Sequence, residues 1–556
     1  MSRKRSLNDR ELDEFAQMDE AEWDNFLKDN SDDDPDYETS SEQISTSESD
    51  QDSIQPPVVA EWHEIENELP EEPNLDAEWV DLEEEPPNFN FLVNDVGLKF
   101  QGQITMEYLV NLFFSDEFVR YLVQQTNLYA TQKIAENPLT RSSRLTRWVD
   151  TTPNELRLFF GLLLHMGPCS FPSIEHYWSQ NIMYKMPFWG QVMSRNRFQL
   201  LLRFLHFADN TEATEDRLYK IRPVLDHFNK IMEDHYVPDK NVCIDESMIL
   251  WRGRLFFRQY IKNKKHKYGI KLYELCESAG MVLKIKVYCG KSEPTENDLG
   301  HAASVVLHLM EKYLDKGYIL YTDNFYNSVG LTNNMTARKT YICGTLRSNR
   351  KGNPKYVVSK KLKKGECIWQ RRKSVVVCKW KDKREVLTIS NLHKVQMVQV
   401  RNKNGKVSMK PNIIKDYNAG MSGIDQSDQM LSYYSALRKT IRWPKKIALH
   451  ILELYIHNTY LLFRKSTGSK IKSLKFREMF VSTLLGDKMP TYNRVQRGDF
   501  HYLEAIPPTE KKQRPTRACR VCTSKKVRRE TRYFCPACDE NPALCVENCF
   551  KDYHLN

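Results

Sequence analysis

Three aspartates constrain the fold of this chain more than any other feature. Asp245 closes the apolar run in "NVCIDES", Asp323 closes "GYILYTD", and Asp425 lies in "GMSGIDQSDQM". Val242, Cys243 and Ile244 read as one buried strand, and Tyr318, Ile319, Leu320 and Tyr321 as another. An acid ending a buried strand is costly to leave unpaired, so such acids belong at strand ends, where distant segments meet at one edge of a sheet. Converging oxygen donors suit Mg²⁺ or Mn²⁺, and two such ions about 4 Å apart activate a nucleophile and stabilise a leaving phosphate oxygen. Taken singly, each aspartate also fits the cap of a turn or of a following helix.

The flanking residues distinguish these readings. After Asp245 comes "ESMILWRGRLFFRQYIKNKKHKYGIKLYELCES", after Asp323 "NFYNSVGL", and after Asp425 "QSDQMLSYYSALRKTIRWPKK". Together they resemble the piggyBac transposase family, from about residue 93 to the C-terminus, in the order and wide separation of the three acids as well. The resemblance implies a ribonuclease-H-like catalytic core. In it Asp245, Asp323 and Asp425 form the triad for Mg²⁺ or Mn²⁺, with Asp428 a nearby fourth acid. It also implies cut-and-paste transposition: strand cleavage at a transposon end by metal-activated water, attack of the freed 3′-hydroxyl on the opposite strand to form a hairpin, then joining to TTAA target sites. The implied partners are double-stranded DNA, as terminal repeats and target, and a second copy of the chain, in the nucleus. A domesticated DNA-binding or chromatin protein without catalysis is the alternative, and a scaffold working through an acidic tail, with no DNA affinity, is a third class.

Charge divides the chain. Through residue 90 there are 30 acidic and 5 basic residues, a net of −25, and the remainder, with 43 acidic and 77 basic, carries +34. A positive body of that size is the footprint of a polyanion binder, or a solvated surface. No apolar run is long enough to span a bilayer, since "LRLFFGLLLHMG" is short and contains Arg157. The acidic N-terminus does not resemble a secretory signal, which places the protein inside the cell and away from membranes. Of 13 cysteines, six fall between Cys519 and Cys549, and the rest are scattered singly, as reduced core thiols would be.

The expected architecture is a multidomain α/β protein. Residues 1–92 form a disordered acidic tail, most plainly so over 31–55, where Ser, Asp, Glu and Thr leave little to bury. Helical stripes over 93–240 include a capping box at Thr152, Pro153 and Glu155, and in the family this region dimerises and binds DNA. Strands and a helix over 241–350 form the first part of the ribonuclease-H-like domain, 351–411 a β-rich insertion, and 412–434 the second catalytic part. Residues 435–513 hold a long buried helix and a linker, and 514–556 a cysteine-rich zinc domain.

Three side chains are assigned to DNA by the resemblance. Arg347 and Arg350, in "TLRSNRKG", match positions that hold target DNA, as a bidentate guanidinium can grip and orient phosphate. A solvated basic turn is the plainer reading. Trp443, among basic residues in "RKTIRWPKK", can stack an unpaired base or anchor the next helix in the core. At the C-terminus Cys519, Cys522, Cys535, Cys538, Cys545, Cys549 and His554 are spaced C-x2-C-x12-C-x2-C-x6-C-x3-C-x4-H, which selects Zn²⁺. Seven ligands are one short of two closed tetrahedral sites, so one site borrows another group or one candidate is idle, and spacing leaves the pairing open. The resemblance is to a cross-braced zinc domain, whose basic loop "TSKKVRRETR" suits DNA. A RING-type ligase shares the frame but neither the short ligand count nor that loop.

Overall fold

The computed structural model describes residues 78–555 apart from 82–83, 101, 137–142, 213, 262–266, 291–298, 402–404, 406, 437–441, 491–500 and 539. The segment 31–55, expected to be disordered, lies outside the described residues. The chain divides into two compact units, residues 1–488 and 489–556. Among the described residues no helix is long and apolar enough to cross a membrane.

The apolar stripes of the first unit fold as helices α1 (Met106–Phe113), α2 (Asp116–Glu136), α3 (Pro153–His165), α4 (Arg195–Phe204) and α5 (Arg222–His235). Local chemistry sets their starts. The Phe118 N–H donates to the Ser115 hydroxyl at 3.2 Å, so α2 begins directly after α1. Thr152 caps α3 by accepting from the Glu155 N–H, with Pro153 at the first helical position, as the sequence pattern predicts.

Strand β1 (Gly97–Leu98) pairs with β2 (Tyr236–Val237), and a nine-stranded sheet follows. Its strands are β3 (Asn241–Leu250), β4 (Gln259–Tyr260), β5 (Tyr268–Glu277), β6 (Val282–Val287), β7 (Ile319–Thr322), β8 (Tyr341–Thr345), β9 (Cys367–Arg372), β10 (Val375–Lys381) and β11 (Glu385–Ser390). The order is β4-β5-β3-β7-β8-β11-β10-β9, with β6 also on β5. β3, β5 and β6 are antiparallel neighbours, while β7 lies parallel to both β3 and β8. Helices α6 (His301–Met310) and α7 (Val329–Ala337) make the connections into β7 and out of it. All four residues of β7 are buried, as in a parallel strand covered on both faces.

One expected segment extends the main sheet, and one expected boundary is corrected. Residues 351–411, expected as a β-rich insertion between the second and third acids, carry strands β9 to β11 into the main sheet: β11 pairs with β8, Ser390 beside Cys343 and Thr388 beside Thr345. The reason is visible in β10, which is buried at six successive positions and so needs cover on both faces. The hairpin of β12 (Met397–Arg401) and β13 (Val407–Pro411) forms its own two-stranded sheet. Residues 84–92, counted with the acidic tail, are fastened instead, because their aromatic residues find partners. The Phe89 N–H donates to the Tyr341 hydroxyl at 2.6 Å, and Phe91 packs edge-on against Tyr318 at 5.0 Å. Upstream, Val80 bridges to Arg371 of β9, and the Trp79 indole donates to the Gly352 carbonyl at 3.1 Å.

Helices α8 (Asn412–Gly420), α9 (Gly423–Tyr433), α10 (Trp443–Thr467) and α11 (Ser473–Leu485) complete this unit. α10 is buried along most of its length, as its sequence suggests. Its polar residues hold it to the sheet: Asn458 exchanges hydrogen bonds with the Val282 N–H and carbonyl at 3.2 and 2.7 Å. A buried Arg477 to Glu453 ion pair ties α11 to α10. Gly468, at φ 68°, ends the helix in the left-handed conformation that favours glycine.

The second unit contains β14 (Glu504–Ala505), β15 (Arg517–Ala518), β16 (Glu530–Thr531) and β17 (Tyr533–Phe534), paired β14 with β17 and β15 with β16. Its small core is built from Cys519, Val521, Cys522, Cys535, Leu544 and Cys545. So few apolar residues need a further source of stability.

Candidate catalytic and zinc-binding sites

The parallel pairing of β3 and β7 sets Ile244 beside Thr322, and the next residues on the two strands are Asp245 and Asp323. Their carboxylate oxygens and that of Glu246 all lie within 4.8 Å of one another. Asp323 closes its strand as expected. Asp245 does not: β3 runs on to Leu250 because its pairing with β5 continues through Gly269, so the acid stands in mid-strand. Backbone N–H groups orient both, Glu246 donating to Asp245 Oδ1 and Phe325 to Asp323 Oδ1, each at 2.8 Å.

Glu246 was not singled out from the sequence. Neighbours on a strand point to opposite faces, which hides an acid beside an acid. The available signal was "DE" inside an apolar strand, with a lysine in the strand that pairs with it. Lys271 of β5 places its Nζ 3.0 Å from Glu246 Oε1, and the lysine is only 4% exposed. Its ammonium also lies 4.6 Å from the ring centres of Tyr273 and Phe325. Burial lowers the Lys271 pKa, opposed by Glu246, Asp323 and Asp245. Burial raises that of Asp323, Glu246 adding to the rise, while the Phe325 N–H, Arg347 and Lys271 oppose it. The hydroxyl of Tyr326 is buried beside these acids with no hydrogen-bond partner among the described residues. An oxygen-only donor set and an unpaired hydroxyl fit a hydrated Mg²⁺ or Mn²⁺.

Asp425 does not join this group. It stands exposed in the first turn of α9, while Ile424 and Ser427 are buried; Asp428, one helical turn after Ile424 and on the same side, is half-buried. α9 packs on β3 and β5. Arg347 and Arg350 are half-buried and brace the loop after Asp323: Arg347 donates to Asn324 Oδ1 at 3.2 Å, and Arg350 donates to the Phe325 carbonyl. Burial, then Arg347, lowers the Arg350 pKa. Trp443, the first residue of α10, is half-buried and meets Phe257 edge-to-face at 5.4 Å, which is the anchoring arrangement.

The second unit gathers two metal-ligand groups, Cys519, Cys522, Cys545 and Cys549 in one, and His501, Cys535, Cys538 and His554 in the other. The pairing alternates along the chain, so the sites are cross-braced. Tetrahedral zinc sets sulfurs about 3.8 Å apart and sulfur about 3.5 Å from nitrogen. Cys522 Sγ lies 3.5 Å from Cys549 Sγ and 4.0 Å from Cys545 Sγ, and Cys538 Sγ lies 3.1 Å from His501 Nδ1 and 3.2 Å from His554 Nε2. His554 Nδ1 donates to the Phe550 carbonyl at 2.7 Å, which leaves Nε2 its lone pair for the metal. Four thiols so close cannot ionise independently. Burial and the neighbouring sulfurs push Cys545 up to about 12 and Cys549 to about 11, while backbone N–H groups overcome burial at Cys519 and bring it to about 7. A dication resolves that conflict. His501 completes the second group of four, the eighth candidate beside the seven that spacing gives; it sits in a stretch that reads as linker, where the strand β14 begins only three residues later.

Comparisons with known proteins match both regions of the chain. A family model described as "Transposase IS4" matches residues 107–460, and one described as "DDE_Tnp_1-like zinc finger" matches 503–555. PiggyBac transposable element-derived protein 3 of Homo sapiens is 26% identical over 468 residues, 80% of this chain and 75% of its own length. PiggyBac transposable element-derived protein 2 of Homo sapiens is 24% identical over 410 residues, 70% of this chain and 67% of its own. The piggyBac transposase solved by cryo-EM as a synaptic complex with hairpin DNA superposes with a TM-score of 0.63 at 25% identity, over 72% of this chain and 86% of that one.

Proposed function

This chain belongs to the piggyBac-like family of transposases, and on that premise we propose that it is a cut-and-paste DNA transposase with its catalytic centre at Asp245 and Asp323. The observation that carries the proposal is the convergence of these two carboxylates from neighbouring parallel strands, with a third from Glu246. The strand order β6-β5-β3-β7-β8, antiparallel then parallel, supports a ribonuclease-H-like core.

Asp245 and Asp323 hold the divalent ions, and α9 brings the third acid, Asp425 or Asp428. Mg²⁺ or Mn²⁺, when bound, supplies an activated nucleophile and stabilises the leaving phosphate oxygen. The buried backbone donors of Glu246 and Phe325 keep the carboxylates aimed before DNA arrives. Cleavage frees a 3′-hydroxyl at the transposon end, which displaces the opposite strand to give a hairpin and later joins TTAA target DNA. A relative solved with hairpin DNA supports that intermediate. Arg347 and Arg350, which brace the loop after Asp323, steady target phosphate in this reading. The zinc domain with its basic loop recognises transposon ends, and the protein works as a homodimer in the nucleus.

One observation favours a second reading, a transposase-derived DNA-binding protein without catalysis: Asp425 is exposed and outside the acidic group. A plasmid excision assay with matching terminal repeats decides. Metal-dependent excision that Asp323→Asn abolishes supports the enzyme, and end binding with no excision in Mg²⁺ or Mn²⁺ overturns it.

A further inference from the structure

Three carboxylates and one ammonium share the acidic centre. Asp245, Glu246 and Asp323 are the carboxylates, Lys271 lies 3.0 Å from Glu246, and Arg347 also acts on Asp323 from the loop that follows β8. The ammonium cannot swing out to water. Glu246 holds it on one side, the Tyr273 and Phe325 rings lie 4.6 Å away, and the lysine is 4% exposed. Phe325 is itself tied to Asp323 through its N–H. A fixed cation in a site of low polarity acts strongly on any second cation nearby. The hydroxyl of Tyr326, buried beside the same acids, has no hydrogen-bond partner among the described residues.

We infer that Lys271 is the centre's built-in counter-ion, and that with Glu246 it holds the DNA-free protein to one divalent cation between Asp245 and Asp323. The inference rests on the reading of those aspartates as metal-binding. A fixed ammonium beside these acids offsets part of their charge and opposes the entry of a second dication. Glu246 in this arrangement is a positioning residue. It fixes the ammonium rather than coordinating metal, because one of its oxygens is already engaged by Nζ.

The test is Mn²⁺ binding to the full-length, zinc-replete protein without DNA, followed by the electron paramagnetic resonance signal of free Mn²⁺. The wild type should take up one ion that Asp323→Asn releases. Lys271→Met should bind it about tenfold tighter or admit a second, Glu246→Gln about tenfold weaker, and the double variant close to wild type, since cation binding follows the local charge. Lys271→Arg, which keeps the charge, should preserve the single site. If Lys271→Met alone does not fold, the comparison of the double variant with Glu246→Gln carries the same tenfold difference. Unchanged affinity and stoichiometry on removing Lys271, in either background, overturns the inference. If Asp323→Asn leaves Mn²⁺ binding intact, the ions sit elsewhere and it is the assignment of the catalytic centre that fails.

Discussion

Asp245 and Asp323 lie side by side because the parallel register of β3 and β7 sets Ile244 against Thr322 one residue earlier. The sheet therefore places the acids, with no loop rearrangement, and a change in either carboxylate should act on chemistry more than on the fold.

Asp245→Asn or Asp323→Asn is expected to remove Mg²⁺-supported nicking of a transposon end while leaving end binding within about threefold, because an amide keeps the shape of the side chain but not its charge. Parallel nicking and gel-shift assays measure both. Activity surviving in either single variant would sink the assignment. Asp425→Asn and Asp428→Asn belong in the same series: the acid on the half-buried side of α9 is Asp428, so loss with Asp428→Asn alone would make it the third acid.

The full chain should carry two zinc ions. His501→Ala opens the site shared with Cys535, Cys538 and His554. Small metal domains draw their folding energy from the metal, so this variant should lose one zinc to a chelator well before the wild type and lose end recognition with it. Elemental analysis gives the count. Equal zinc content and equal resistance to the chelator would remove His501 from the ligand set.

Arg347→Ala and Arg350→Ala should separate. Arg350 donates to the Phe325 carbonyl and is half-buried, so its loss loosens the loop that positions Asp323 and should lower cleavage several-fold. Arg347 engages Asn324 at the surface of the same loop, and its loss should weaken target capture more than end cleavage. Excision and insertion frequencies measured together test this. An equal fall in both activities for Arg347→Ala would place that residue in the active-site frame.

Much of this was legible in the sequence, for identifiable reasons. β7 and α10 announce themselves because a continuous apolar run has few other solutions, and Thr152 starts α3 through a side-chain bond that is local. The zinc frame was readable from spacing alone. What escaped is non-local. Nothing near residue 385 signals that β11 will join β8, and His501 lies 34 residues from Cys535, outside any compact ligand motif. Glu246 was hidden for a different reason: its role depends on Lys271 of β5, which pairing brings close only after the sheet forms.

Removing residues 1–77 should tighten non-specific DNA binding at low salt. This segment has 25 acidic and 5 basic residues, a net of −20, and Trp79, two residues beyond it in the sequence, donates to Gly352 in the loop that follows Arg347 and Arg350. Ending the deletion at residue 77 keeps that anchor. If the segment competes with phosphate, the truncated protein also gains slope, by about 0.9 in log affinity against log salt for each contact unmasked. Superimposable salt titrations of the two proteins would show an inert tail.

Acid should destabilise the first unit through two histidines held neutral. Burial, only partly offset by the Asn210 hydrogen bond and reinforced by Lys445, Arg442 and Lys220, brings His206 down to about 4, and burial with Lys446 does the same to His450. His206 stacks on Tyr129 at 4.0 Å, and His450 Nε2 is buried without a partner among the described residues, so neither imidazolium is welcome in the folded chain. Both folded-state pKa values lie below the ordinary value of about 6.5, and the unfolded chain therefore binds more protons between the two. The stabilisation is complete above about 6.5, is lost as pH falls toward 4, and amounts to at most about 3 kcal/mol for each histidine. Urea unfolding of full-length protein at pH 7.5 and pH 5 measures it, against a His206→Gln, His450→Leu variant that cannot take up these protons. The variant should lose less stability on acidification than the wild type; the same loss in both would mean that other groups set the acid limit, among them His165, His227, His393 and His457, whose pKa values burial also lowers.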